Sequence, residues 1–578
     1  MLFDSEREEV TDPDPPAVPY RAPPAVARPD SDAAIAAIGT GTVAVAAATA
    51  LGACGGGSDG GAAATPAPPP APAVTDKEAA RFAAHASMGT TAADIARIQG
   101  IGLAAWLDEQ FNLPRSTGIW DWLVTKGYND PSFINTQQGI DAALWRSLIT
   151  GSDALRQRVA LALSELMVVG IDGLNVSWKP FVAAAYMDLL LDNAFGNFRT
   201  LLQAVSTSPA MGIYLTFRGN VKANASTGSM PDENYARESM QLFTIGLYEL
   251  NSDGTLKLTG GKPKETYTQD DIIGLARVFT GWDLDSSSNT TPDRMRRPMT
   301  QVTSRHEPGE KKFLGTTIAA GTDGVKSLAL ALDTLFAHPN VAPFVGRQLI
   351  QRLVTSNPSA SYVSRVAASF ADNGSQVRGD LKAVIKAILL DDEARNAAGL
   401  ADPVFGKLRE PVLRFTAWAR AFSAASPSDT WPVGNTSDPA ARLGQSPVRS
   451  GSVFNFFRPG YVPPNSPIGT ANLVAPELQI TNESSVVGYV NFMQATVGAG
   501  VGDVKADYTA WLPLVATPAA LLDQLNLVLA AGQLGASTLS SIIAAISAVS
   551  MTTDAGKLNR LYAAITLVLA APEFITQK

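Results

Sequence analysis

The chain has 578 residues and a net charge of −8, with 46% hydrophobic and 17% charged residues. Enough apolar side chains are present for a sizeable core, whereas the acidic balance and the lack of a clustered Lys/Arg run argue against nucleic acid as a partner. The one cysteine excludes an intrachain disulfide, and the widely spaced His85, His306 and His338 do not form a multi-histidine metal motif.

An uncharged segment near the N-terminus predicts export. Residues 33–53 carry no charged side chain, and the sequence then reads Leu51-Gly-Ala-Cys54. An apolar run that ends in small residues and a cysteine resembles a lipoprotein signal peptide, whose cysteine receives the lipid. We therefore predict a signal region over residues 1–54, with lipidation at Cys54 and an atypically long, partly acidic N-terminal extension. The alternatives are an uncleaved transmembrane anchor and an unstructured tail with a chance cysteine.

The next segment has the composition of a spacer. Residues 55–74 are almost entirely Gly, Ala and Pro, and they include the run Pro66-Ala-Pro-Pro-Pro-Ala-Pro72. Such a sequence cannot bury a core, and it is typical of a disordered linker. We therefore predict a linker over 55–74 and a folded body over 75–578.

Helical periodicity dominates the body. Capping-box patterns at Thr75, Thr91 and Thr268 predict three helix starts. Apolar spacing predicts further helices, among them 156–169, 231–247, 341–353 and 412–422. Strand alternation is scarce, with short strands expected near 255–258 and 301–304. The sequence thus predicts a mainly α protein, a large multi-helix globular body with long loops and at most a few short strands.

Short motifs run through the body in a fixed order. They are Asn193-Ala-Phe-Gly-Asn-Phe-Arg199, Ser208-Pro-Ala-Met-Gly-Ile-Tyr-Leu215, Asp232-Glu-Asn-Tyr-Ala-Arg-Glu238, Thr280-Gly-Trp282, His306-Glu-Pro-Gly-Glu-Lys311, Leu389-Leu-Asp-Asp-Glu-Ala-Arg395 and Leu569-Ala-Ala-Pro-Glu-Phe574. Together they resemble the bacterial family called domain of unknown function 1800, over roughly residues 78–578. The resemblance implies a large helical exported protein, often encoded beside a second exported protein, and it supplies no established catalytic residues. Many relatives carry Trp-His-Asn-His in a helix that here reads Leu155 to Glu165 without histidine.

One predicted helix is dense in polar side chains. Glu233 and Arg237 share a face of it, as do Asn234 and Glu238, and Gln241 lies one turn further on. We expect Glu233, Arg237 and Glu238 to face inward and to meet the segments of Asp270 and His306. Glu238, Asp270 and His306 are then candidate catalytic groups, and the remaining polar residues are candidate binding groups. The alternative is structural: an ion-pair network, a helix cap and a turn.

A second cluster joins aromatic rings to guanidinium groups near the end of a Pro-rich stretch. It consists of Arg449, Asn455, Phe456, Phe457, Arg458 and Tyr461. Such surfaces stack on sugar rings or bind partner proteins, and Arg449 and Arg458 are candidate binding residues. The alternative is an ordinary packed loop.

These patterns lead to one functional expectation and one alternative. We expect an exported, lipid-anchored cell-envelope protein that is held to the membrane by its lipid and binds a partner protein or polysaccharide. The alternative is a secreted hydrolase that uses carboxylates around Glu238. No cofactor motif is evident, and Ca²⁺ or Mg²⁺ is the cofactor that a carboxylate site would take.

Overall fold

Threonine side chains begin three helices of the body, as the sequence predicts. In the computed structural model, which describes residues 74–578, Thr75 accepts a hydrogen bond from the Glu78 backbone while Glu78 accepts one from the Thr75 backbone. Thr91 and Thr268 form the same reciprocal bonds with Asp94 and Asp271. These caps satisfy donors that a helix start otherwise leaves free. Cys54 and residues 55–73 lie outside the described residues, so the predictions for them stay predictions.

The first half of the described chain is an array of short helices. Large aromatic side chains hold it together, and Trp145, Trp178 and Tyr186 are almost fully buried. The helices are α1 (Asp76–Ala86), α2 (Ala92–Ile101), α3 (Leu103–Asn112), α4 (Ile119–Thr125), α5 (Ile140–Thr150), α6 (Ala154–Leu166), α7 (Lys179–Asn193), α8 (Phe198–Thr207), α9 (Pro209–Tyr214) and α10 (Asn234–Gln241).

The middle of the chain contains most of the strands that the structure describes. Strands of two or three residues form antiparallel pairs, β1 with β2, β3 with β4, and β5 with β6. The elements are β1 (Leu258–Thr259), β2 (Lys262–Pro263), α11 (Gln269–Ala276), β3 (Trp282–Asp283), β4 (Thr300–Gln301), β5 (Lys311–Phe313), β6 (Thr316–Ile318), α12 (Gly324–Ala337), α13 (Val341–Leu353), α14 (Ala360–Ala371), α15 (Leu381–Leu390), α16 (Asp392–Arg395) and α17 (Ala398–Ala401).

The C-terminal part of the chain packs against the first helix of the body. The last strand, β8, pairs with β7, and α21 packs against α1. The elements are β7 (Lys407–Leu408), α18 (Pro411–Ala421), α19 (Pro467–Thr470), α20 (Glu483–Ala499), α21 (Pro518–Ala530), α22 (Ala536–Ser547), α23 (Asp554–Ala570), α24 (Pro572–Ile575) and β8 (Thr576–Gln577). The mainly α prediction is confirmed.

Helix α10 is shorter than the predicted segment 231–247. The amide of Leu242 still donates to the Glu238 carbonyl, but the amides of Ile245 and Gly246 both donate to the carbonyl of Met240. Gly246 has a φ of +70°, a conformation in which glycine has no steric penalty. The apolar run after Gln241 therefore packs as a turn rather than as helix.

The helices that the structure describes are short compared with a membrane-spanning helix. Within residues 74–578 no single helix is both long and apolar enough to span a bilayer. Helices α12 and α13 satisfy the length and composition only as a pair, and they are bent by 74° at their junction.

Candidate functional site

Glu238 lies on the buried side of α10. Three residues earlier, Tyr235 stacks on Phe217 with ring centroids 4.2 Å apart and meets Phe279 edge-on at 4.6 Å. Glu238 shares this side of the helix and is 7% exposed, and its Oε2 has no hydrogen-bond partner. Burial raises the pKa of Glu238 to about 7, with Arg237 opposing the rise. Its carboxyl group therefore exchanges a proton near neutral pH.

Glu233 and Arg237 instead form a surface pair. Their side chains are 32% and 40% exposed, and Arg237 Nη2 lies 3.4 Å from Glu233 Oε2. The same carboxylate oxygen accepts a 2.7 Å hydrogen bond from Gln269 at the start of α11. The expectation that both residues face inward is wrong, because Tyr235 and Glu238 occupy the buried side of α10 and the four-residue spacing keeps Glu233 and Arg237 together away from it. Glu233 thus links α10 to α11 at the surface.

The two amides of this helix also lie near the surface. Asn234 is exposed, and its side chain donates to the hydroxyl of Thr216 at 3.4 Å. Gln241 accepts a 3.2 Å hydrogen bond from the hydroxyl of Tyr267. Burial raises the pKa of Tyr267 to about 12, so this hydroxyl remains a donor at neutral pH. Both amides keep neighbouring segments in place.

Asp270 is exposed at the first turn of α11, whereas its neighbour Asp271 makes the contacts that matter for the fold. Asp271 Oδ2 completes the cap with Thr268, and Oδ1 accepts a 2.6 Å hydrogen bond from the backbone of Leu314. The carboxylate of Asp271 therefore ties α11 to the β5–β6 hairpin, and Asp270 remains on the solvent side.

His306 is buried against Thr280. Its Nδ1 lies 3.0 Å from the Thr280 carbonyl and 3.2 Å from the Thr280 hydroxyl, while Nε2 has no partner. The Thr280 hydroxyl also accepts from the backbone of Glu307 at 2.8 Å. Burial lowers the pKa of His306 and that of nearby Lys311. The imidazole is therefore neutral at pH 7.

The structure does not join the three catalytic candidates. Among residues 74–578, no hydrogen bond or ion pair connects Glu238 with Asp270 or His306. No group of three or more His, Cys, Asp or Glu side chains in this part of the chain is placed to hold a metal ion. Glu238 alone keeps the properties of an acid–base group.

Arg449 is a buried clamp rather than a free binding residue. Its side chain is 8% exposed and donates two hydrogen bonds to Asp141, at 3.0 and 2.7 Å. A third hydrogen bond of 2.6 Å goes to Gln137. This two-point pairing fixes the loop that carries Arg449 to α5 and the loop before it.

Arg458 remains exposed, as a binding residue should be. Its guanidinium lies 4.6 Å from the ring centroid of Phe454, and its backbone amide donates to Gln479. Phe457 next to it is fully buried, with the guanidinium of Arg352 at 5.2 Å from its ring. The predicted cluster of aromatic rings and guanidinium groups therefore lies partly in the core and partly at the surface.

Sequence reasoning missed a group of ionisable side chains in the core, which we call the buried charge cluster. Lys407 Nζ lies 3.1 Å from Glu410 Oε1 and 3.0 Å from Glu477 Oε1. Arg352 Nε lies 3.1 Å from Glu165 Oε2. Every member is at least nine-tenths buried, and the members are Arg158, Glu165, Arg352, Lys407, Glu410 and Glu477.

Two carboxyl groups of this cluster have pKa values that are shifted in opposite directions. Burial and the neighbouring Glu410 raise the pKa of Glu165 well above its usual range. Burial would also raise the pKa of Glu410, but Lys407 and the Arg158 guanidinium together lower it. Glu165 is therefore the protonated member and Glu410 the ionised one, and Gln445 donates a 3.0 Å hydrogen bond to the latter.

A small cavity adjoins Glu165. Its volume is about 20 Å³, which is enough for one water molecule. Four residues that line this space have buried polar atoms without a hydrogen-bond partner within residues 74–578. The atoms are the hydroxyls of Ser446 and Ser450, the carboxyl oxygens of Glu165 and the side-chain nitrogen of Asn455. The remaining wall is mixed, and it includes Leu161, Ser164, Tyr186, Val412, Gln445 and Phe456.

Comparison with known families is informative over nearly the whole chain. The family model described as a protein of unknown function, DUF1800, matches residues 81–576. The chain belongs to the DUF1800 family. No curated protein and no solved structure matches this DUF1800 chain.

Two of the motifs that carry the resemblance meet in space. Thr280 of the Thr-Gly-Trp motif contacts both His306 and Glu307 of the motif that follows. Gly281 has a φ of +80°, and a Cβ at this position would lie 2.3 Å from Gln301 Oε1 and 3.0 Å from the backbone of His306. In this DUF1800 chain the histidine therefore has a packing role that accounts for its position.

Proposed function

We propose that this protein is an exported, lipid-anchored component of the bacterial cell envelope, whose helical body binds a partner protein or polysaccharide. The observation that carries the proposal is the position of the only cysteine, Cys54, after an uncharged run and before a Gly/Ala/Pro spacer. The capped start of α1 at Asp76 supports it, because the body begins shortly after the spacer. Two or three acyl chains on one cysteine hold a protein stably at a membrane.

Replacement of the cysteine tests the anchor. We expect wild-type protein to incorporate a radiolabelled fatty acid in the producing cell, and we expect Cys54→Ala not to incorporate it, because no acyl chain can be attached. Immunoprecipitation followed by autoradiography measures the label. Ser58→Ala in the same spacer is the matched control and should be labelled as wild type is. Equal labelling of wild type and Cys54→Ala, or no label in either, would contradict lipid attachment at Cys54.

The binding role of the body is supported by the loop around residues 445–458. Arg449 fixes this loop to Asp141, and Arg458 remains exposed on the ring of Phe454. Aromatic rings and guanidinium groups are common on the surfaces by which proteins bind their partners. The partner is a protein or a polysaccharide of the cell envelope, and the family resemblance favours a second exported protein as the protein candidate.

Glu238 supports a second candidate, a secreted hydrolase. A carboxyl group with a pKa near 7 and an unpartnered Oε2 is suited to proton transfer at neutral pH. Ca²⁺ or Mg²⁺ would be the cofactor of such a site, and a rise in melting temperature with millimolar cation would support its binding. Activity of the purified protein against ester and polysaccharide libraries, lost in Glu238→Gln, would favour the hydrolase over the binding module.

A further inference from the structure

The cavity beside Glu165 is lined by polar groups that have no hydrogen-bond partner in the part of the protein that the structure describes. Ser446 is 1% exposed, and its hydroxyl has no hydrogen-bond partner among the described residues. The side-chain nitrogen of Asn455 lines the same cavity and is also buried without a partner. A buried polar group without a partner costs free energy that a bound ligand can recover. A hydroxyl group both donates and accepts, so one hydroxyl can satisfy both side chains.

The size of the cavity favours a ligand group without charge. A space that holds one water molecule is too small for a carboxylate or a phosphate group, and a small ion would lose its hydration on entering it. The group that enters the cavity is therefore neutral.

The mouth of the cavity offers an aromatic surface. Phe456 lines the space and is only partly buried. The loop that carries Phe456 is held by the paired hydrogen bonds of Arg449 to Asp141. Because the inner space of about 20 Å³ admits a single hydroxyl-sized group, the rest of a ligand must remain at this mouth. A sugar ring packs well on an aromatic side chain in such a position.

We propose that this cavity receives the hydroxymethyl group of an uncharged hexose unit, with the sugar ring against Phe456 and the hydroxyl between Ser446 and Asn455. The proposal rests on the binding role of the body and names its ligand class as a neutral polysaccharide. It is independent of the anchor, because Cys54 has no part in it.

Three hexasaccharides test the proposal by isothermal titration calorimetry with the full chain. Cellohexaose and maltohexaose carry a hydroxymethyl group on each ring, whereas xylohexaose has the linkage of cellohexaose and lacks that group. We expect saturable binding of at least one glucose hexasaccharide. Xylohexaose should bind at least about tenfold more weakly, since it loses the buried hydrogen bonds. No binding of either glucose hexasaccharide at millimolar concentration, or equal binding of xylohexaose, would overturn the proposal.

Two variants test the residues. Ser446→Ala removes a hydroxyl that has no protein partner, and Asn455→Gly keeps the left-handed backbone at this position, where φ is +63°. Both should fold, and each should weaken binding by about tenfold. Thr317→Ala, in the exposed β5–β6 hairpin, is the control and should bind as wild type does. Unchanged affinity in both cavity variants would place the sugar elsewhere and overturn the proposal. Absence of sugar binding by the wild-type protein, with the lipid present on Cys54, would overturn this proposal and leave a protein partner as the ligand of the body.

Discussion

We expect Lys407→Met to lower the free energy of unfolding by about 3–5 kcal/mol. Lys407 is fully buried, and its ammonium group lies between Glu410 and Glu477. It also donates a 2.9 Å hydrogen bond to the carbonyl of Arg352. Methionine has a similar length but no charge, so it leaves two carboxylates in the core without their shared cation. Urea unfolding followed by circular dichroism measures the loss.

The exposed pair on α10 provides the matched control. Arg237→Met also removes a cation from an ion pair, but both partners are about one-third exposed, and the expected cost is below about 1 kcal/mol. If Lys407→Met does not fold, the combined variant with Glu410→Gln and Glu477→Gln should recover most of the stability, because the unpaired charges are removed. A loss of less than about 1 kcal/mol in Lys407→Met, or no recovery in the combined variant, would contradict the role of the cluster.

Glu238→Gln should stabilise the protein at alkaline pH. Burial raises the pKa of Glu238 from its ordinary value of 4.5 to about 7. The folded protein therefore binds this proton more tightly than the unfolded chain does, and the contribution of Glu238 is fully present below pH 4.5 and is lost as the pH rises through 7. A shift of this size corresponds to about 3 kcal/mol. Glutamine is never ionised, so at pH 8.5 the variant should be more stable by up to that amount.

Urea unfolding from pH 4.5 to 8.5 measures this difference. The free energies of unfolding of wild type and Glu238→Gln, plotted against pH, should be similar at the acidic end and should diverge between pH 4.5 and 7. Gln241→Ala is the control, because it changes a neighbouring amide without changing the number of titratable groups, and its curve should run parallel to that of wild type. A constant difference between Glu238→Gln and wild type at all pH values would show that the carboxyl group titrates normally in the folded protein.

Local sequence signals predicted the helices well. The reciprocal bonds of Thr75, Thr91 and Thr268 involve residues only three positions apart, so their geometry depends on local sequence alone. The end of α10 depends instead on the left-handed turn at Gly246, which packs against Phe344 from a distant helix. Helical periodicity continues past Gln241, so the sequence does not predict the contact between Gly246 and Phe344.

The candidate site was predicted only in part. Residue spacing shows which side chains share a helix face, but it does not show which side chains from distant segments come into contact. Asp270 and His306 were expected beside Glu238, yet α11 presents Asp270 to solvent, and Thr280 holds His306. The buried charge cluster did leave a signal. Arg158 and Glu165 lie in α6, a helix in which every residue except Arg156 and Ser164 is buried. Such a helix is buried all round, so its charged residues require partners inside the protein. Which partners they find depends on residues more than 180 positions away.

The state of the N-terminus tests the proposed function most directly. Protein purified from the membranes of the producing cell can be digested with trypsin and analysed by mass spectrometry. The first tryptic cleavage site after Cys54 is at Lys77, so the N-terminal peptide of the mature protein spans residues 54–77. We expect this peptide with a diacylglycerol group on Cys54 and no peptide from residues 1–53. An unmodified peptide that begins at Met1, together with an unacylated Cys54, would contradict export as a lipoprotein.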